Sequence, residues 1–392
     1  MMATTEVPVK TFTQRDATKP YSIPLGNLRA FITALVVAHH AVLAYHPYAP
    51  PPGASLDASP WWRAFPVVDT AHSGVFTVLA GFNDVFFMSL MFLLSGVFVW
   101  NSLQRKGTGK YLRDRLVRLG VPFVAAVVIV APLAYYPSYL QSKSHPGFVK
   151  TWLSLSGWPS GPAWFIWVLL VFGLIAAMLT EWSPKWAERF GSRLASTSKF
   201  FAILLAISAA TYVPLAVIFD PMSWSAFGPF VFQTSRILHY LAYFLIGVAL
   251  GACGIAGALP ARRWLAWTST AVVAFLIVSA AAIAAITNPA VKVFQVVGDF
   301  GFVICCAASC FAFLAIFLRF ATNRMPLFDS LRDNAYGMYL VHYAFVTWLQ
   351  YALLSADLPG LAKGTIVFAG ALALSWVTTA ALRRIPAVAR VI

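Results

Sequence analysis

The sequence predicts an all-α fold: a polytopic membrane helix bundle of about ten transmembrane helices, with both termini cytoplasmic. Three observations predict it. Of 392 residues, 60% are hydrophobic and only 10% charged, with a mean hydropathy of +0.76. A soluble chain carries roughly a quarter charged residues. Ten apolar runs each approach the roughly 20 helical residues that a bilayer core requires. The basic clusters also fall in alternate connections, as cytoplasmic loops do.

Residues 1–21 are polar and carry Lys10, Arg15 and Lys19. The apolar run that follows is long, contains histidines and lacks a small-residue cleavage site. This reads as a cytoplasmic tail before a retained first helix, not a secretory leader. The expected spans are 24–45, 75–101, 118–140, 162–180, 199–219, 235–255, 264–287, 297–318, 334–355 and 363–382. They form one bundle over 22–385, followed by a short cytoplasmic tail at 386–392. Arg105 to Arg118, Lys185 to Lys199, Arg262 and Arg263, Arg319 to Arg332, and Arg383 to Arg390 then all lie on the cytoplasmic side. That asymmetry accounts for the net charge of +15 without a nucleic-acid partner, since no soluble basic domain is present to bind a duplex.

Two connections on the opposite side differ in kind. Residues 46–74 are proline-rich and carry Trp61 and Trp62, and residues 141–161 carry Trp152 and Trp158. These tryptophans read either as an interfacial belt or as a platform that stacks on sugar rings. The four cysteines (Cys253, Cys305, Cys306 and Cys310) lie in apolar runs with no metal-ligand spacing and read as small core residues, so no metal is expected.

Chemistry is expected where polar groups enter the hydrocarbon, because a titratable side chain there costs at least a few kcal/mol. In the first span Arg29 and His40 are eleven residues apart. That is about three turns, so both face one way and differ in depth by about 16 Å. His40 can take a proton from a hydroxyl and return it, its ordinary pKa lying near neutrality. Arg115 and Arg118, at i and i+3, present two guanidinium groups together at the inner end of the third span. The pair suits either a phosphate-bearing ligand or lipid headgroups. Depth places Asp84, His239 and Asp299 near the level of His40, where a carboxylate could orient an imidazole. His342 is expected roughly 10 Å nearer the cytoplasm than His40, lining the path of a donor or bonding a neighbouring helix. Ser89, Ser95 and Gly96 read as sites of close helix packing.

The segments carrying these residues resemble the acyltransferase 3 family of integral membrane acyltransferases, including the branch that decorates periplasmic glucans. The resemblance rests on Arg29 with His40 and on Arg115-x-x-Arg118. FLLSG (92–96), GPAWFIW (161–167), HYLAYFLIG (239–247) and YGMYLVH (336–342) support it. It implies an O-acyltransferase of the inner (cytoplasmic) membrane. An acyl group, acetyl or succinyl, would pass from acyl-CoA on the cytoplasmic side to a carbohydrate or glycoconjugate hydroxyl outside. No bound cofactor is implied, because acyl-CoA is the donor substrate; membrane lipid is the other partner. On this resemblance His40 is the catalytic base, and depth alone offers Asp84 or His239 as its assistant. The resemblance makes Arg29, Arg115 and Arg118 the donor-side residues, and His342 joins them if it lines the donor's path. One departure is His39, which precedes the signature histidine and points about 100° away on an ideal helix. The other reading of ten helices with titratable groups near the midplane is a transporter of a polar or lipid-linked molecule.

Overall fold

A computed structural model describes residues 22–52, 56, 59–142, 147–194, 196–254 and 261–392. The N-terminal tail expected at 1–21 lies outside the described residues. Helix α1 (Ser22–Leu43) carries both Arg29 and His40. The second span is α2 (Val75–Val97), which continues past a break at Phe98 as α3 (Val99–Lys106). The third is a rod of α4 (Thr108–Arg115), α5 (Val121–Ala125) and α6 (Ala131–Gln141), joined by wide π turns at Leu116–Gly120 and Ala126–Val130. A short α7 (Phe148–Ser154) precedes α8 (Trp164–Trp182), α9 (Trp186–Arg193) and α10 (Thr197–Phe219). A hairpin, β1 (Trp224–Phe227) and β2 (Phe230–Gln233), leads to α11 (Ile237–Cys253) and α12 (Trp264–Thr287). The chain finishes with α13 (Lys292–Phe320), α14 (Pro326–Ala352), α15 (Gly360–Leu382) and a one-turn α16 (Pro386–Ala389).

Eight of these stretches are long and apolar enough to cross a membrane. The remaining two expected spans are helical as well. Helix α11 has 17 residues, the lower limit for a crossing, and α14 has 27 but opens with polar turns. The protein is an all-α multi-pass membrane protein. Its small hairpin was not anticipated: Trp224 pairs with Gln233 and Phe227 with Phe230 around a Gly228-Pro229 turn. Gly228 takes the left-handed φ (58°) that such a tight reversal needs.

Helices α2 and α11 approach most closely through glycines. A Cβ on Gly247 would stand 2.1 Å from the Leu93 carbonyl oxygen, and one on Gly96 the same distance from the Phe244 carbonyl. The small residues that the sequence places here therefore permit backbone contact, as small-residue helix pairs do in lipid.

Prolines in the third span free carbonyls that lipid cannot satisfy, because proline lacks the N–H that would bond to the residue four earlier. Pro122 leaves the Arg118 carbonyl open, and the Tyr336 hydroxyl donates to it at 2.6 Å. Pro137 leaves the Leu133 carbonyl open, and the Trp348 indole donates to it at 3.0 Å. Both donors lie on α14. The same helix sends Gln350 to the His40 and Ala41 carbonyls, in the last turn of α1, at 2.9 and 3.1 Å. Helix α14 is thus bonded to α1 on one side and to the proline-rich rod on the other.

The loop after α1 is fastened by an ion pair with both members buried. Lys363 of α15 donates to Asp69 at 2.7 Å, and Asp69 also accepts from the Ala71 amide. Burial and this carboxylate raise the pKa of Tyr45, two residues past the end of α1 and of the membrane-crossing stretch that the structure shows.

The glycine crossing gives a direct stability test. Gly247→Val forces a side chain against backbone and should cost about 1–3 kcal/mol or more, read as a lowered unfolding midpoint in detergent. Gly109→Ala, which meets open space, should not. Equal midpoints for the two variants would refute the close crossing.

Candidate active site

Two cavities enter the bundle from opposite ends. The larger, about 880 Å³, is basic. Arg29 of α1, Arg105 and Lys106 of α3, Arg115 of α4, Arg118 in the first π turn and Arg332 of α14 line it, and Arg383 and Arg390 close its rim. The three arginines singled out in the sequence are therefore brought together. Arg118 reaches the cavity from a π turn, so the α-helical spacing argument gave the right result on a backbone that is not strictly α-helical. Lys106 is engaged by Asp114, and Arg332 by Asp329 and Asp333. Among the described residues no carboxylate pairs with Arg29, Arg115 or Arg118. Arg29 instead lies over the Phe98 ring (4.9 Å) and Arg115 over Tyr111 (5.2 Å). Unpaired guanidinium groups in a water-accessible pocket suit a polyphosphate. Residues 389–392, expected as a tail, also line this cavity.

The smaller cavity, about 380 Å³, is aromatic. His39, His40, Trp61, Arg63, Asp84, Trp164, Trp224 and Tyr240 are among its walls. Of the four loop tryptophans only Trp61 borders it. Trp152 is buried against Tyr135 and Phe148. His46, just beyond α1, also borders the cavity; burial lowers its pKa, and neighbouring His72 adds to the effect.

The protonation of the His40 ring follows from its partners. The Nδ1–H of His342 donates to the Tyr339 carbonyl at 2.7 Å, so in the neutral ring Nε2 carries the lone pair. That lone pair faces Nδ1 of His40 at 3.2 Å, and the same Nδ1 lies 2.8 Å from the Val36 carbonyl. Both neighbours are acceptors, so Nδ1 of His40 must hold the proton. Nε2 is left as the free base of a ring that borders the cavity. His39 borders it too, stacked on Phe87 at 5.1 Å and edge-on to His40, rather than pointing away.

Four expectations need correction. His342 is not about 10 Å from His40; their ring centroids are 5.1 Å apart. It lines neither cavity, and its Nε2 lies 3.2 Å from Nδ1 of His40. The error arose because α14 begins at Pro326, eight residues before the expected span, which sets His342 deeper. Asp84 does border the cavity, but it is held by Arg236: Nη2 reaches Oδ2 at 2.7 Å and Nη1 the backbone carbonyl at 2.9 Å. It forms no hydrogen bond or ion pair to a histidine. His239 is fully buried on the far face of α11, with Nε2 3.6 Å from the Cys306 sulfur and its ring against Tyr243 and Phe302. It is a core histidine. Asp299 is likewise buried and accepts from the Tyr212 hydroxyl at 3.4 Å.

Among the described residues only Tyr339 lines both cavities. Its hydroxyl donates to the Pro162 carbonyl across the gap. On α1 the wall passes from Thr33 to Val36, and on α2 from Met91 to Met88, so it is about one helical turn thick (~5 Å). Sequence reasoning missed Tyr339, Arg63 and Arg236. A tyrosine in an apolar run carries no signal of its own, and the two arginines stand in a polar loop and at the very start of a span, where charge is ordinary.

A family model described as an acyltransferase domain (Acyl_transf_3) matches residues 25–380. The chain belongs to the acyltransferase 3 family. Among curated relatives it is similar to glucans biosynthesis protein C of Salmonella gallinarum strain 287/91, with 23% identity over 238 residues. The proteins of the same name from Salmonella schwarzengrund and Salmonella typhi are each 23% identical over 236 residues. Each alignment covers 57% of this chain and 56% of the relative, so the chain spans just over half the length of these acyltransferase 3 relatives. No solved structure matches.

The Asp84–Arg236 contact separates a structural role from a catalytic one. Asp84→Asn strands a buried guanidinium and should cost about 1–3 kcal/mol. Adding Arg236→Gln should recover part of that midpoint and of any lost activity. A double variant no better than the single one would restore Asp84 to a role at the reacting atoms.

Proposed function

We propose that this acyltransferase 3 chain is a membrane-bound O-acyltransferase that moves an acyl group from acyl-CoA to a carbohydrate hydroxyl. The observation that carries the reading is the meeting, at one tyrosine, of an arginine-lined cavity and a cavity containing an uncommitted imidazole nitrogen. The glucan in the relatives' name supports a carbohydrate acceptor, as do Trp61, Trp164 and Trp224 around that nitrogen. Acetyl and succinyl are the acyl groups we favour. We place the basic end in the cytoplasm, in keeping with the charge distribution of the loops, and the bundle in the inner membrane. Membership of an acyltransferase family weighs against the exporter reading.

In this scheme Arg29, Arg115 and Arg118 hold the phosphates of the donor, and its pantetheine arm extends toward Tyr339. Arg29 and His40 differ in depth by about 16 Å, a gap for the arm to bridge. Displacement of the Tyr339 hydroxyl from Pro162 admits the thioester. His40 Nε2 takes the proton of the acceptor hydroxyl as its oxygen attacks the thioester carbonyl. Collapse of the tetrahedral adduct breaks the carbon–sulfur bond, and the departing thiolate recovers the proton as free CoA. His342 keeps Nδ1 of His40 protonated and so keeps Nε2 basic.

His40→Ala should lower CoA release in purified protein by about 10²–10⁴-fold with its melting midpoint preserved; wild-type turnover would end the proposal. Arg115→Gln with Arg118→Gln should raise KM for acyl-CoA more than it lowers kcat. His342→Gln should shift the pH profile of kcat, an effect that mere loss of packing would not give.

A further inference from the structure

Among the described residues lining the histidine cavity, Arg63 alone carries a permanent charge with no counter-charge. It is 9% exposed. Its Nη1 donates to the Gly157 carbonyl at 2.8 Å, while Nε has no partner. No carboxylate among the described residues pairs with it. The cavity does contain one carboxylate, Asp84, but Arg236 holds it at 2.7 Å. Arginine does not escape burial by losing its proton, and a buried guanidinium without an anion is costly.

The residue is also held rigidly. Its backbone carbonyl accepts the Tyr135 hydroxyl at 2.8 Å, and it sits in a single 3₁₀ turn, Trp62–Ala64, whose flanking residues Trp61 and Phe65 pack ring against ring at 5.3 Å. Anchoring a loop to the Gly157 carbonyl needs one N–H, which a neutral side chain could supply. What remains is the Nε/Nη2 edge, the fork that receives a carboxylate through two parallel hydrogen bonds.

We propose that Arg63 is a specificity residue that binds a carboxylate on one of the two substrates, beside His40. This rests on the acyl-transfer reading for its substrates but not for the anion site itself. Two sources share this chemistry: a free carboxylate at the far end of the acyl group, or an acidic sugar in the acceptor. In either position it replaces the missing counter-ion and fixes the substrate against the aromatic wall.

The test uses the full chain in detergent, in an Arg115→Gln/Arg118→Gln background that weakens anion binding in the basic cavity. Tryptophan fluorescence is titrated with succinate against its dimethyl ester, and with glucuronate against glucose. The acidic probes should bind at least tenfold more tightly than the neutral ones. Arg63→Gln should remove the preference, and Arg63→Lys should keep part of it at an unchanged melting midpoint. No preference in the parent protein, or the same preference in Arg63→Gln, overturns the proposal without reference to turnover.

Turnover in the otherwise wild-type chain then identifies the source. Succinyl-CoA is compared with acetyl-CoA on a neutral glucan oligosaccharide, and acidic with neutral oligosaccharides are compared using acetyl-CoA. Arg63→Gln should lower the acidic-to-neutral ratio of kcat/KM by roughly 10–100-fold in one comparison. A fall in the first comparison puts the carboxylate on the acyl group, and a fall in the second puts it on the acceptor. Unchanged ratios in both, where wild type turns over, count against the assignment. If anion binding depends on Arg63 while His40→Ala turns over normally, the anion site stands and the acyl-transfer mechanism falls.

Discussion

The hydrogen-bonded chain from the Tyr339 carbonyl through His342 to His40 is the interaction on which the site depends. It ties α14 to α1 and decides which nitrogen of His40 is basic. One residue serves two purposes in it. The backbone of Tyr339 sets the proton of His342, while its hydroxyl, on Pro162, forms the wall between the cavities. Movement of that side chain therefore occurs at the residue that orients the base. Rotation of the ring leaves the carbonyl in place, so the wall can change without changing which ring nitrogen of His40 faces the cavity.

That chain requires α14 to hold a fixed position, and the hydrocarbon environment supplies the reason it does. Each proline in the third span removes an internal hydrogen bond, and lipid offers no substitute. Tyr336 and Trp348 therefore have strong cause to stay on the Arg118 and Leu133 carbonyls. The first of these contacts is made to the backbone of a donor-side arginine. The same substitution of bonds that lets the rod widen into π turns thus registers the basic cavity against the histidine helix.

The fold was largely legible because a bilayer permits few architectures, and each span announces itself by length and composition. Arg29, Arg115, Arg118 and His40 were legible for the converse reason: each is a polar residue where lipid tolerates few. Depth along a helix could also be read from its rise. What could not be read was which neighbour each face would meet. His239 lies on the face of α11 turned from the cavity toward Cys306, although it was expected to join His40 there. His342 was set too shallow because the polar residues 326–333 resemble a loop, whereas they are the first turns of α14. Arg63 and Arg236 were hidden among ordinary loop charges, since only tertiary structure separates a solvated arginine from a buried one. The 224–233 hairpin was passed over because its strands are four residues each, too short for alternation to stand out.

Two hollows that share one side chain have a consequence for the cell that houses them. Chemistry spanning a bilayer is hazardous if water can follow the reactants, because a continuous aqueous thread would let protons run down their gradient. On the proposed mechanism, a septum one turn thick, sealed by an aromatic ring against a carbonyl, would let a slender apolar tether through while denying ions a hydrated route. The sparse contact between the two chambers can then be understood as electrical insulation, with a single tyrosine as the dielectric.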